Sequence, residues 1–264
     1  MIPGITASGR KPWTPYDLFE VGVEMAWYNP ANLASMWQDT AATIPVTADG
    51  QLVARIDDSY GVGPYLANAD IAQQPVYRTD GVKHWLEFDG VDDYLNSSIA
   101  GWTPLTVSSA ITQCTAANRV SETGASAHVA SNFASNRAEG YLTYYPASST
   151  APFFCVIRKD DTNYNISTAG MAVDTTPRVG TLRWDGSNTE RRLLYNDITK
   201  TGAATPAGTV DSSLVGVYSL GKSASANSNY LNGNCWGALV FGKALTNDEM
   251  DKLQEFMRII SGSL

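Results

Sequence analysis

Hydrophobic and polar positions alternate along this chain in many short runs, and the clearest run covers residues 85–95. Within it, Trp85 and Glu87 fall on one face of a two-residue period, whereas Leu86 and Phe88 fall on the other. Asp89-Gly90 follows as a turn signal, because glycine accepts positive φ and aspartate can bond its own backbone. Comparable runs lie at 76–78, 106–114, 140–145, 152–158, 179–184, 192–195, 214–220 and 235–241. Many short strands separated by polar turns predict a sandwich or barrel.

Two features at the ends of the chain complete this organisation. At the carboxyl end, Thr246 and Glu249 form a capping box that opens a helix, and the helix carries one apolar stripe of Met250, Leu253, Met257 and Ile260. Residues 1–20 contain several prolines and glycines without any period, and they are predicted to form an extended arm. Residues 21–264 are predicted to form one domain. The arm is expected to dock on a neighbouring subunit or on its own domain through Ile2, Pro3, Ile5, Trp13 and Tyr16.

Shorter patterns near the start give two further predictions. Residues 17–29 are the first plausible strand, and Leu33, Met36 and Trp37 are spaced for one helical turn. Each pattern is brief, so both assignments depend on the local period alone.

Composition and charge exclude several functions. The chain has 264 residues, of which 17% are charged, and a net charge of −8. This balance disfavours nucleic-acid binding, and no apolar run is long enough for membrane insertion. Cys114, Cys155 and Cys235 are widely spaced, so buried thiols in strands are favoured over zinc ligands. The first residues lack the apolar centre of a signal peptide, which favours synthesis in the cytoplasm.

Three ordered segments resemble concanavalin A-like, laminin-G-like jelly-roll domains. These are LEFDGVDDYL at 86–95, LRWDG at 182–186 with LYND at 194–197, and the ending at 230–250, so the similarity covers residues 76–260. The resemblance implies an all-β, concanavalin A-like jelly-roll sandwich of two antiparallel sheets with a carboxyl-terminal helix. It also implies that Asp89-Gly90 and Asn232-Gly233 are turns of hairpins.

The residues before this region are similar to a leader found on such domains in tailed-bacteriophage and prophage proteins. The similarity includes AWYNP at 26–30 and the opening MIPGI. It implies a location in the virion, with other capsid or tail proteins and further copies of the chain as partners.

Catalysis is disfavoured by the residues themselves. The glucanases of this fold carry E-x-D-x-x-E or E-x-D-x-E on one strand, but here Glu87 and Asp89 are followed by Gly90, Val91 and Asp92. His84 is expected to be a surface or hydrogen-bonded histidine, and His128 is expected to face solvent in a loop. Neither has a nucleophile motif nearby.

Two binding hypotheses remain open. Asp89, Asp92 and Asp93, or Asp57 and Asp58, offer oxygen ligands for Ca²⁺, although a solvated acidic turn is the favoured interpretation. No other cofactor is expected. The candidate glycan-binding residues are tyrosines in loop-rich regions, although filling of a sandwich face is favoured for them: Tyr141, Tyr144, Tyr145 and Tyr164.

The leading hypothesis is therefore a non-catalytic bacteriophage virion structural protein, as a capsid decoration or a tail or fibre component, with a lectin-like surface domain. The alternative is a glycan-binding module that contacts host-surface glycans. A glycoside hydrolase ranks third.

Overall fold

The structure, a computed structural model, describes residues 12–98, 110–120, 127–131, 175–185, 217–224 and 228–263. It also describes the backbone of strands at 140–145, 154–159, 162–167, 191–195 and 198–202. Within these residues, no helix combines the length and the apolar character that crossing a bilayer would require.

Strands dominate the described part of the chain, and one α-helix follows the last of them. In chain order the strands are β1 (Met25–Tyr28), β2 (Met36–Trp37), β3 (Arg55–Ile56), β4 (Leu66–Ala67), β5 (Val76–Thr79), β6 (His84–Asp89), β7 (Leu95–Ser97), β8 (Ile111–Arg119), β9 (Ala127–Ser131), β10 (Gly140–Tyr145), β11 (Phe154–Lys159), β12 (Thr162–Ser167), β13 (Arg178–Trp184), β14 (Arg191–Tyr195), β15 (Ile198–Gly202), β16 (Ser219–Leu220) and β17 (Asn232–Phe241). The helix α1 is Asn247–Ser261, and 3-10 helices lie at Pro15–Leu18, Leu33–Ser35 and Ile71–Gln73.

The strands form two sheets, and the pairings between the described strands are antiparallel. Sheet A has the order β15-β14-β13-β8-β17-β6-β5, and β1 pairs with the second half of β17. Sheet B has the order β12-β11-β10-β9-β16-β7-β4-β3-β2. The predicted all-β sandwich of two antiparallel sheets is thus confirmed.

The main core lies between the two sheets and follows the alternation seen in the sequence. Leu86 and Phe88 of β6 are fully buried in this core, as are Leu95 of β7 and Leu220 of β16. Each such side chain contributes about 1.5–3 kcal/mol through burial of apolar surface. The period-2 pattern of the sequence therefore identifies the inner face of β6 correctly.

A second core lies on the outer face of sheet A, where α1 packs. Met250, Leu253 and Met257 are fully buried there with Leu239 of β17, and the opposite face of β6 contributes Trp85. The predicted capping box is confirmed, because the Thr246 backbone N–H donates to Glu249 Oε2 at 2.7 Å and the Glu249 N–H donates to Thr246 Oγ1 at 3.3 Å. The helix therefore covers the outside of sheet A.

The described end of the N-terminal segment lies on the domain itself. The ring of Trp13 meets Phe256 of α1 edge-on at 6.3 Å, and Tyr16 meets Trp27 at 5.1 Å. Ile2, Pro3 and Ile5 fall outside the described residues. Docking of this arm on another protein stays a prediction.

Two early assignments are corrected. The strand expected over 17–29 is confined to β1, because residues 15–18 form a 3-10 helix and Gly22 turns the chain at a φ of 87°. The helical turn expected at Leu33, Met36 and Trp37 is a 3-10 turn followed by β2, where Met36 pairs with Ile56 and is fully buried. Pairing and burial of Met36 thus override the local spacing.

The expected hairpin at Asp89-Gly90 is wrong. β6 belongs to sheet A, but β7 pairs with β4 and β16 of sheet B, so residues 90–94 cross from one sheet to the other. Alternating hydrophobicity shows which face of a strand is buried but not which strand is its neighbour. The expected turn at Asn232-Gly233 is also wrong, since both residues lie in β17. Pairing of β13 with β14 confirms the predicted central hairpin.

Gly221 offers a test of the packing at this end of the sandwich. It has a φ of 89°, and a Cβ there would overlap the buried ring of Phe88. Gly221→Ala is expected to lower the free energy of unfolding by about 3–4 kcal/mol through strain and overpacking. Gly22→Ala is the matched control, because Gly22 has a φ of 87° in open space and should lose only about 1 kcal/mol. Equal losses in urea denaturation of both variants would contradict this packing.

Candidate functional site

Two chain segments cross between the sheets side by side at one end of the sandwich. The first, residues 90–94, leaves the end of β6, and the second, described at residues 221–224 and 228–231, enters the start of β17. They meet because Asp89 is directly opposite Asn232 in the β6–β17 ladder. Gly90, at a φ of 78°, lies so close to Asn232 that a Cβ would be 2.5 Å from the Cβ of that residue. This end is called the rim site below, and it comprises Asp89, Asp92, Asp93, Tyr94, Lys222 and Tyr230.

The first crossing is an acidic turn held by its own hydrogen bonds. Asp89 Oδ1 accepts the backbone N–H groups of Val91 at 2.8 Å and Asp92 at 3.2 Å. In return, Asp93 Oδ2 accepts the N–H of Asp89 at 3.0 Å. Aspartate favours such local bonds to the backbone, so the side chains of the D-G-V-D-D segment stabilise their own turn.

The turn brings three carboxylates together at different depths. One oxygen from each of Asp89, Asp92 and Asp93 lies within 4.8 Å of the others, with Asp89 exposed, Asp92 half-buried and Asp93 buried. Burial raises the pKa of Asp93 to about 7, and the neighbouring carboxylate of Asp89 adds to the increase. The innermost carboxyl group therefore takes up a proton near neutral pH.

Aromatic rings and one amine border these carboxylates. Lys222, from the second crossing, places its Nζ 3.5 Å from the centre of the Tyr94 ring, and burial lowers the pKa of this lysine. Tyr94 and Tyr230 are half-buried. Burial raises the pKa of the Tyr230 hydroxyl, with Tyr94 and Asp92 adding to the effect. The rim site thus combines ring surface, hydrogen-bond acceptors and a cation.

The carboxylates suit Ca²⁺ only in part. Asp89 Oδ1 and Asp93 Oδ2 already accept backbone N–H groups, and Ca²⁺ takes six to eight oxygen ligands. The remaining carboxylate oxygens could hold a cation only if a ligand or water supplied most of its shell.

The other predicted oxygen pair is structural. Asp58 is buried and accepts the backbone N–H groups of Trp27, Tyr60, Val62 and Gly63 at 2.7–3.0 Å. Asp57 accepts from the Trp37 indole at 2.8 Å and from Arg55 at 2.6 Å. Their oxygens organise a loop and an ion pair, which explains both residues without a metal.

The predicted glycan-binding tyrosines lie on strands of sheet B and not in the two crossings. Tyr141, Tyr144 and Tyr145 are in β10 and Tyr164 is in β12 of sheet B. The backbone register aligns Tyr141 with Ile157 and Ile157 with Tyr164, so two of the positions share one row. Their side chains lie outside the described part of the chain, and their role stays a prediction.

The remaining candidate residues have structural partners. Glu87 forms an ion pair with Arg78 at 3.1 Å, and His84 Nδ1 lies 2.6 Å from the Tyr77 hydroxyl, as expected for a hydrogen-bonded histidine. The solvent-facing position expected for His128 is wrong: it is buried in β9, and burial lowers its pKa to about 4. Cys114 and Cys235 are buried free thiols in strands, as predicted.

Sequence reasoning missed three residues of the rim site. Tyr94 carries no binding motif of its own, although it directly follows Asp92 and Asp93. Lys222 and Tyr230 carry no motif and reach the site only through the β6–β17 register. The Gly221-Lys222 step after an apolar run was the one local signal for a turn there.

Comparison with known proteins supports the fold. No protein-family model matches the chain, and no curated protein matches it. Among solved structures, domain 4 of AbnA, a GH43 extracellular arabinanase from Geobacillus stearothermophilus, in complex with arabinotriose, is similar with a TM-score of 0.56 and 13% identity, covering 88% of this chain and 98% of that domain. The CBM40 of the Ruminococcus gnavus IT-sialidase, bound to α2,3-sialyllactose, gives a TM-score of 0.47 and 15% identity over 56% of this chain and 83% of that one. At 13% identity the likeness to the AbnA domain concerns the fold alone.

The raised pKa of Asp93 predicts a pH-dependent stability. The folded state holds the Asp93 proton more tightly than the unfolded state, so this group's contribution to stability decreases as pH rises from about 4 to 7. Asp93→Asn keeps an acceptor for the Asp89 N–H but removes the charge. Relative to wild type, the variant should gain about 2 kcal/mol of unfolding free energy between about pH 4 and pH 8.

The control is Asp248→Asn, because the Asp248 side chain is 77% exposed on α1. Its difference from wild type should stay nearly flat over the same range. Urea denaturation at several pH values measures both variants. A flat difference for Asp93→Asn would contradict the buried position of this carboxyl group.

Proposed function

We propose that this chain is a non-catalytic carbohydrate-binding module whose ligand occupies the rim site. The observation that carries the proposal is that the two crossings, which meet at Asp89 and Asn232, carry the half-buried rings of Tyr94 and Tyr230 together with the carboxylates of Asp89 and Asp92. A sugar presents an apolar C–H face together with hydroxyl donors. Half-buried aromatic rings can stack on the C–H face, and carboxylates can accept hydrogen bonds from the hydroxyl groups.

Asp92 and Lys222 have different roles in the proposed recognition. Asp92 is half-buried and near Tyr230, so its carboxylate can accept sugar hydroxyls beside a ring. Lys222 is held on the ring of Tyr94, which steadies that side chain before any ligand arrives. The crossings start from paired strands, and this limits the ordering needed on binding.

Two further considerations support a binding role without catalysis. Glu87, the one glutamate of the glucanase-like motif, is paired with Arg78 and lies opposite Asn234 in the sheet. The similar AbnA domain was solved in complex with arabinotriose, which supports testing neutral oligosaccharides first.

Single tyrosine variants test the site. Tyr94→Ala and Tyr230→Ala should each weaken glycan binding about tenfold or more, whereas Tyr94→Phe should keep most of it, because the ring supplies the contact. Tyr16→Ala is the control, since Tyr16 is 47% exposed against Trp27 and Tyr60. Glycan arrays followed by calorimetry with arabinotriose and array hits give the affinities.

Circular dichroism must show that each variant is folded. Loss of binding in Tyr144→Ala or Tyr164→Ala, with Tyr94→Ala and Tyr230→Ala unaffected, would place the ligand on β10–β12 and contradict the rim site. No binding of the wild-type chain to any glycan would contradict the proposed function.

A second candidate function is assembly, as the virion hypothesis requires. Near the N-terminal segment, Phe19 is 45% exposed, Val21 88% and Val62 49%, around a cavity of about 350 Å³. An apolar surface of this kind favours contact with another copy or with a capsid or tail protein.

Truncation of residues 1–20 would be a poor test of assembly, because Pro15 and Leu18 are buried. Val21→Asp is sharper and should raise the dissociation constant of a self-assembled or particle-bound form about tenfold. Val82→Asp is the control, at an 82% exposed valine in the β5–β6 turn. A wild-type chain that is monomeric in sedimentation and absent from virus particles would contradict this second role.

A further inference from the structure

We propose that the rim site selects glycans that carry a free amine and rejects glycans that carry a carboxylate. The inference rests on the proposed glycan-binding function and concerns the charge of the ligand.

The solvent-facing charge of the rim site is negative. The carboxylates of Asp89, Asp92 and Asp93 lie within 4.8 Å of one another, and the first two reach solvent. The cation among the described residues of the site, Lys222, is only 6% exposed and rests on the Tyr94 ring. An approaching ligand therefore meets the carboxylates before it meets the ammonium group.

Asp93 adds an unfilled position for a hydrogen-bond donor. This residue is 6% exposed, and its Oδ2 accepts the backbone N–H of Asp89. Among the described contacts, its Oδ1 accepts no hydrogen bond. Burial raises its pKa to about 7, and the neighbouring carboxylate of Asp89 adds to the increase. A ligand ammonium would supply both the donor and the charge.

The aromatic groups allow the amine and the sugar ring to bind together. Tyr94 already has an ammonium nitrogen 3.5 Å from its ring centre, supplied by Lys222, so a cation is compatible with this ring. Tyr230, half-buried on the second crossing, offers a second ring for the C–H face of the sugar. A 2-amino sugar places its amine one bond from that face, within reach of the carboxylates.

An anionic sugar is repelled by the same carboxylates. A sialic acid or uronic acid would bring a carboxylate toward Asp89 and Asp92. At about 4 Å, repulsion between like charges near a protein surface is large enough for at least a tenfold loss in affinity.

The experiment compares matched ligands on the full chain at pH 7. A glucosamine trisaccharide is expected to bind about tenfold more tightly than its N-acetylated counterpart, and 3′-sialyllactose about tenfold more weakly than lactose. Asp92→Asn should remove most of both differences, because it removes the charge that the amine of one ligand and the carboxylate of the other would meet. Asp248→Asn makes the same change in net charge on exposed α1 and should leave both differences intact, which excludes a general attraction to an acidic protein.

The outcomes separate this inference from the proposed function. Equal affinity for the amine and N-acetylated sugars, or binding of sialyllactose as tight as lactose, would overturn the charge selection and leave glycan binding in place. Absence of binding to all four sugars would overturn the charge selection, whereas absence of binding to every glycan of the array would overturn the proposed function itself. Stabilisation by CaCl₂ alone that is lost in Asp92→Asn, without preference for the amine, would show a metal site and overturn the inference.

Discussion

The pairing of Asp89 with Asn232 in the β6–β17 ladder determines where everything else at the rim site lies. These residues end one strand of sheet A and begin another, so both crossings to and from sheet B leave the same end of the sandwich. Gly90 allows the close approach, because a Cβ there would meet Asn232. A shift of one residue in this register would turn Leu86 and Phe88 out of the core, so the core itself holds the rim site together.

Sheet A can hold that register because both of its faces are covered. One face of β6 packs into the core between the sheets, and the other face, with Trp85, packs near α1. The long strand β17 pairs with β8 along one side and with β6 and then β1 along the other. The crossings are thus anchored in the most thoroughly paired strand of the described sheet, which suits a binding site that must be formed before its ligand arrives.

The sequence predicts local features well and the neighbours of strands poorly. The alternation of Trp85 to Phe88 and the Thr246–Glu249 capping box depend on residues close in the chain, and both are confirmed. The hairpin at Asp89-Gly90 was wrong because a turn signal does not tell which sheet the next strand joins.

For the candidate site, too, the sequence predicts residues that are close in the chain but not those brought together by folding. The cluster of Asp89, Asp92 and Asp93 could be found, since one turn contains it. Lys222 could not be found, because only the folded chain brings it to Tyr94. The depth of Asp93, and with it the raised pKa, also follows from the packing of the two sheets and not from the local sequence.

Hydrogen exchange of the chain with and without a saturating oligosaccharide ligand tests the central claim most directly. The account predicts slower exchange in peptides that cover residues 89–94 and 221–231, with little change in β10 to β12 and in α1. Protection confined to β10 to β12, or to the surface around Phe19 and Val21, would contradict a ligand site at the two crossings.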